Sequence, residues 1–196
     1  MVSSQSLGLE FENECLRGAQ NSFNYAVKIP DTRSLSGLVN KIINWIRNTH
    51  VVAKIYREQF GYLPAENNFI AMKAPYDILI CHKGKTIAME CKQTKAMSLS
   101  FNNIKDHQIE ELIKVAKAGG IGLFCVNFNN HERSKAKNVN EVYVLDINMF
   151  SVLYTKAKNL GINSIPIDDF RKYSIYVDRV KINGKYQVDF DKLKNL

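Results

Sequence analysis

The sequence predicts an α/β fold: a mixed β-sheet flanked by helices, with a helical insertion. Three observations carry this. Helical and strand-like periodicities alternate in the order αβ, insertion, ββαβ, followed by extra elements. The run Ile121 to Phe128 is almost continuously apolar, as a central strand buried on both faces should be. The length of 196 residues suits one well-buried domain and is too short for two of ordinary size.

The elements follow in order. Leu7, Phe11 and Cys15 fall at i, i+4 and i+8, so a helix is expected from Leu7 to about Gln20. Asn24 to Ile29 alternates and stops at Pro30, which predicts a strand. Residues 36–60 turn helical, with Leu38, Ile42, Trp45 and Ile46 on one stripe, and residues 61–68 read as loop. Residues 31–69 are therefore taken as the insertion. Tyr76 to Ile80 and Ile87 to Lys92 form a hairpin across Lys83-Gly84-Lys85. Ile109, Leu112, Ile113 and Ala116 define a helix that stops at Gly119-Gly120. After the strand 121–128, residues 129–140 read as loop, 141–146 as a strand and 147–160 as a helix. From Arg171 short strands are expected, with Asn183-Gly184 as a hairpin turn. Residues 147–196 are additions to the single domain, and the chain has no internal repeat or low-complexity tract.

Composition narrows the partners. There are 27 basic against 19 acidic residues, a formal charge of +8, on a chain whose 45% hydrophobic content excludes general disorder. The excess lies on a folded surface and favours a polyanion, with nucleic acid ahead of membrane because no basic amphipathic helix or lipidation signal stands out. No apolar run approaches the roughly 18 residues of a membrane span, and Met1 to Gln5 lacks a signal-peptide pattern, so a cytoplasmic protein is expected. Cys15, Cys81, Cys91 and Cys125 are scattered among apolar neighbours without CxxC spacing. They read as reduced core residues rather than zinc ligands or redox groups.

The hairpin carries the chemistry. Asp77, Glu90 and Lys92 lie inside apolar strand-like runs, where charge is costly unless it is used. In an extended strand Glu90 and Lys92 share one face, while Ile87, Met89 and Cys91 point to the other. Hairpin pairing brings Asp77 close to Glu90. Asp77, Glu90 and the Cys91 carbonyl then offer oxygens to a hard divalent cation, and Lys92 can touch a water or a phosphate. Few oxygen ligands favour magnesium, with manganese as its substitute. An isolated Glu-x-Lys is more often a solvated ion pair; the shared face and apolar setting argue against that here.

Asp77, with Glu90-Cys91-Lys92 thirteen positions on, resembles the core motif of the PD-(D/E)xK nuclease superfamily, and Pro75-Tyr76-Asp77 is similar to its opening. Within it, Glu90 to Lys95, Ser100 to Ile104, His107 to Glu110 and Gly119-Gly120-Ile121 resemble RecU-like and archaeal Holliday junction resolvases. The resemblance covers about Tyr76 to Phe128. It implies a restriction-endonuclease-like fold with an αβββαβ core, a metal-dependent structure-selective DNA endonuclease, and Holliday junction resolution by paired incisions. Two incisions imply a C2 homodimer.

By the same resemblance, Gly8-Leu9-Glu10-Phe11-Glu12 is similar to the family's opening helix. Glu12 would match the carboxylate that completes the metal site, and Glu10 and Glu14 would be solvated. Gln108 would match a polar residue behind the site that positions water or phosphate. His107 itself reads as a local hydrogen-bonding group rather than a base, since Lys92 already serves near the water. Lys95 matches the resolvases' second lysine, a DNA contact. Arg33, in a segment similar to related nucleases, and Lys73 join it as candidate DNA contacts. Residues 30–69 are longer than the corresponding part of a compact archaeal resolvase. The alternatives are another nuclease of the superfamily, of restriction, repair or flap type, and a non-catalytic junction-binding protein.

Overall fold

A computed structural model describes residues 4–29, 74–130 and 139–195. The helix expected over 36–60, the loop over 61–68, most of the loop over 129–140, and the candidate contacts Arg33 and Lys73 lie outside the described residues.

Helix α1 (Ser4–Ser22) leads into β1 (Tyr25–Lys28). Beyond the insertion come β2 (Ile78–His82), β3 (Lys85–Thr94), the short β4 (Ser98–Ser100), α2 (Asp106–Lys117), β5 (Ile121–Asn130) and β6 (Val139–Asp146). Then follow α3 (Ile147–Asn159), β7 (Ser164–Pro166), α4 (Ile167–Tyr173), β8 (Ile175–Ile182) and β9 (Lys185–Asp189). Seven strands form one sheet in the order β1-β2-β3-β5-β6-β8-β9. Its described pairs are antiparallel except β3 with β5, whose parallel pairing requires the crossover that α2 supplies. β4 and β7 make a separate antiparallel pair.

The strands' period of two divides the interior between the sheet's faces. Ile87, Met89, Cys91, Leu123 and Cys125 point to α1 and pack with Phe11, Cys15 and Ala19 from its inner stripe. Ala88, Phe124, Val126 and Phe128 point to the other face, where Leu112, Phe150 and Phe170 from α2, α3 and α4 cover them. Phe124 and Phe150 stack with ring centroids 4.2 Å apart. Buried on both faces, β5 shows no alternation, in keeping with its apolar run.

Both expected tight turns are present. Lys83 and Gly84 (φ 48° and 76°) close β2 on β3, and Asn183 and Gly184 (φ 51° and 80°) close β8 on β9. Two successive positive φ values are what a two-residue hairpin turn needs to match the strands' twist. Gly18 sets the seat of α1 on β9: a Cβ there would lie 1.9 Å from the Val188 carbonyl oxygen.

Several expectations change. Cys81 is exposed, whereas Cys15, Cys91 and Cys125 are buried. The alternation that turns Ile78 and Ile80 inward turns Cys81 outward. Glu14 is buried rather than solvated, and takes a two-pronged Arg179 guanidinium at 2.7 and 2.8 Å. β5 runs to Asn130 and β6 begins at Val139, so both strands invade the expected loop. Residues 171–173 belong to α4, not to a strand. That helix has 7 residues and buries only Ile167 and Phe170, too little for a periodic signal.

Candidate active site

The site grows from the end of the β2–β3 ladder. Their register stops at Ile78 opposite Met89, which places Asp77 one residue before β2 and beside Glu90. The Asp77 N–H donates to the Met89 carbonyl at 3.1 Å, and the Ile29 N–H donates to the Asp77 carbonyl at 2.8 Å, so the backbone is held from both sides. The next donor on that edge of β3, the Cys91 N–H, meets the Asp77 Oδ2 at 2.7 Å. The Asp77 carboxylate thus takes the place of a strand partner. One strand residue directs its N–H and C=O to the same side, so the Cys91 carbonyl faces the same edge.

Glu90 and Lys92 share the face opposite Cys91. Glu90 is 1% exposed. Its Oε1 lies 2.7 Å from the Lys92 Nζ and also accepts from the Gln108 Nε2. The Gln108 Oε1 in turn accepts from Lys92 Nζ and from the Lys105 N–H, each at 3.1 Å. Gln108 sits in the first turn of α2, so one amide ties the start of that helix to both charged groups on β3. The Glu90 Oε2 is buried with no hydrogen-bond partner.

Burial, and then the Asp77 charge, raise the Glu90 pKa to about 8, against the pull of Lys92. Asp77 rises to about 6, chiefly through burial and then through the Glu12 charge, which outweigh the Cys91 N–H and the lysines. Glu12 therefore acts electrostatically on both. Its own Oε2 is paired with the Lys28 Nζ at 2.7 Å. Among the described residues no three His, Cys, Asp or Glu side chains are grouped closely enough to hold an ion as they stand. The donor chemistry nevertheless fits a hard cation: the available groups are oxygens, one of them is buried without a partner, and the carboxylates repel one another.

Of the predicted site residues, Asp77, Glu90, Cys91, Lys92 and Gln108 come together, with Glu12 at the margin. Lys95 is exposed just past β3, and His107 is half-buried on α2. Sequence reasoning missed Lys28. Its signal is a charge closing a strand on the same side as the buried Ala26.

The family model for recombination protein U matches residues 41–195, which includes Asp77, Glu90, Cys91, Lys92, Lys95 and Gln108 and leaves out Glu12. The Holliday junction resolvase RecU of Geobacillus sp. (strain WCH70) is 31% identical over 97 residues, covering 49% of this chain and 44% of that protein. Its counterpart from Staphylococcus aureus (strain JH9) is 31% identical over 114 residues, covering 58% and 49%. The chain thus spans about half the length of the curated relatives it matches. The structure of Hjc, a Holliday junction resolvase of Archaeoglobus fulgidus, aligns with 17% identity and a TM-score of 0.27 over 38% of this chain and 52% of that one. Because the family pattern takes in about four-fifths of the sequence, with Asp77 and the strand that bears Glu90 and Lys92, the chain belongs to the recombination protein U (RecU) family.

Proposed function

We propose that this protein is a metal-dependent, structure-selective DNA endonuclease that resolves Holliday junctions. Membership of the RecU family supports the substrate class. The observation that carries the chemistry is the buried, unpartnered Oε2 of Glu90, a carboxyl whose other oxygen meets Lys92 and which feels the Asp77 charge.

In this reading Asp77, Glu90 and the Cys91 carbonyl, with Glu12 beside them, would hold magnesium, or manganese in its place. A divalent cation there supplies positive charge against the scissile phosphate and a more acidic water. Lys92, with its side chain only 15% exposed, holds that water or a phosphate oxygen from the side of Glu90. Gln108 fixes Lys92 and Glu90 through its two amide atoms, so neither has to be ordered when substrate arrives. Lys95, Arg33 and Lys73 contact backbone phosphates. Two such sites in a C2 homodimer make the paired incisions. Among the described residues no helix is long and apolar enough to cross a membrane; work on DNA in the cytoplasm is part of the proposal.

The test is cleavage of a labelled immobile four-way junction beside linear duplex, flap and single-stranded DNA, with magnesium and with chelator. Paired, magnesium-dependent nicks confined to the junction are expected. Glu90→Ala and Lys92→Ala should each abolish them, a loss of at least ~10³-fold, while junction binding stays near wild type. Full activity in both variants would rule out this active site. Equal cutting of every substrate would indicate a general nuclease, and binding without cutting a junction-binding protein.

A further inference from the structure

Lys28 closes β1, and its register sets it opposite Ile78, next to Asp77 in the chain. Ala26, two positions earlier, is buried against α1, so the strand's alternation turns Lys28 to the same face. There its Nζ meets the Glu12 Oε2 at 2.7 Å. A lysine on an edge strand ordinarily extends into water. This one is only 29% exposed, and Glu12 25%. The site's carboxylates are thereby divided: Glu90 takes Lys92, Asp77 takes the Cys91 N–H, and Glu12 takes Lys28. Lys28 also counters, at Asp77, the upward push of the Glu12 charge.

We propose that Lys28 is a positioning residue for the cation site, pairing with the Glu12 carboxylate and competing with the divalent ion for it. This role rests on the proposed binding of a cation by the site's carboxylates. An ammonium on a flexible stem is a compact monovalent charge that a divalent ion can displace from a carboxylate. While it is present, it occupies one oxygen ligand and repels the incoming ion. Lys28 therefore keeps binding weak until the remaining ligands, including substrate oxygens, are in place.

The experiment is Mn²⁺ binding to the full chain without DNA, followed by the electron paramagnetic resonance of the free ion. The proteins are wild type, Lys28→Gln, Lys28→Arg, Glu12→Gln, Glu90→Gln and the Glu12→Gln/Lys28→Gln double variant. Thermal melts verify that each variant is folded. Lys28→Gln should tighten Mn²⁺ about fivefold or more, the size expected for removing a nearby like charge. Lys28→Arg should stay near wild type, and the tightening should vanish when Glu12 is already Gln. Unchanged or weaker Mn²⁺ binding in Lys28→Gln would overturn the proposal, as would the same tightening without Glu12. Glu90→Gln separates the two levels. If it binds Mn²⁺ like wild type, the cation site itself is wrong; if it loses Mn²⁺ while Lys28→Gln has no effect, only the role of Lys28 fails.

Discussion

At the scale of single residues, the site gathers three carboxyl groups, Glu12, Asp77 and Glu90, around two lysines, Lys28 and Lys92. Asp77 stands at about 6 and Glu90 at about 8, both raised chiefly by burial. The unfolded chain returns them to roughly pH 4, so between about pH 4 and 8 the folded state binds the extra protons. Stability must then fall as pH rises through that window, with the full penalty above the Glu90 value and none below the unfolded pKa values. Melting temperature in chelator should accordingly drop from about pH 5 to 8, and Glu90→Gln should flatten the upper part of the curve. Added magnesium should raise the melting temperature more at pH 8 than at pH 5, because cation binding requires the deprotonated ligands. A pH-independent melting temperature would show that these carboxylates are not buried together. The residue pattern made Asp77, Glu90 and Lys92 visible in the sequence, because a charge inside an apolar strand costs free energy that only a partner or a ligand offsets. Arg179 was not visible because its partner Glu14 lies 165 positions away, and Lys28, only 16 positions from Glu12, was not visible because the pairing depends on how α1 packs on β1.

At the scale of elements, α1 is the piece that links β3 to the far end of the sheet. It covers Met89 and Cys91 on β3 and, through Gly18, sits against the backbone of β9. Arg17 reinforces this seat by donating to the Tyr186 carbonyl at 2.6 and 3.0 Å. Gly18→Ala would force a Cβ into the Val188 carbonyl and lift the helix. The expected cost is about 1–3 kcal/mol, read as a lower urea midpoint with little change in slope. An unchanged midpoint would mean that α1 shifts without loss. Strong periodicity made α1, α2, α3 and β5 legible. The pair β4–β7 and the short α4 were not, since three residues of strand or two buried side chains in a helix look like loop until another segment packs on them.

At the scale of the whole molecule, the chain carries a formal charge of +8. If that charge meets phosphates, the affinity of the cleavage-dead Glu90→Ala protein for a four-way junction should fall steeply with salt. Six or more phosphate contacts would weaken it by roughly 10³-fold or more between 50 and 200 mM. A shallow log–log slope would assign the basic surface no part in DNA binding. The slope should also be nearly the same for junctions of different sequence, because phosphate contacts carry no base information.

What the sequence determined by itself was the order of most elements, a central strand buried on both faces, and the charged hairpin. All of these are local: periodicity, turn residues and misplaced charge are written within some fifteen consecutive positions. Only the tertiary structure decided which partners those charges take. The Asp77 carboxylate bonds to the Cys91 N–H because β2 ends there and leaves the edge of β3 open. Glu12 meets Lys28 because α1 packs on the face of the sheet to which Lys28 of β1 turns, and Glu14 is a buried ion pair because β8 returns to α1 from the far end of the chain. The first two join positions only 14 and 16 apart but need the exact register and packing of their elements, and the third joins positions 165 apart, which no local pattern encodes.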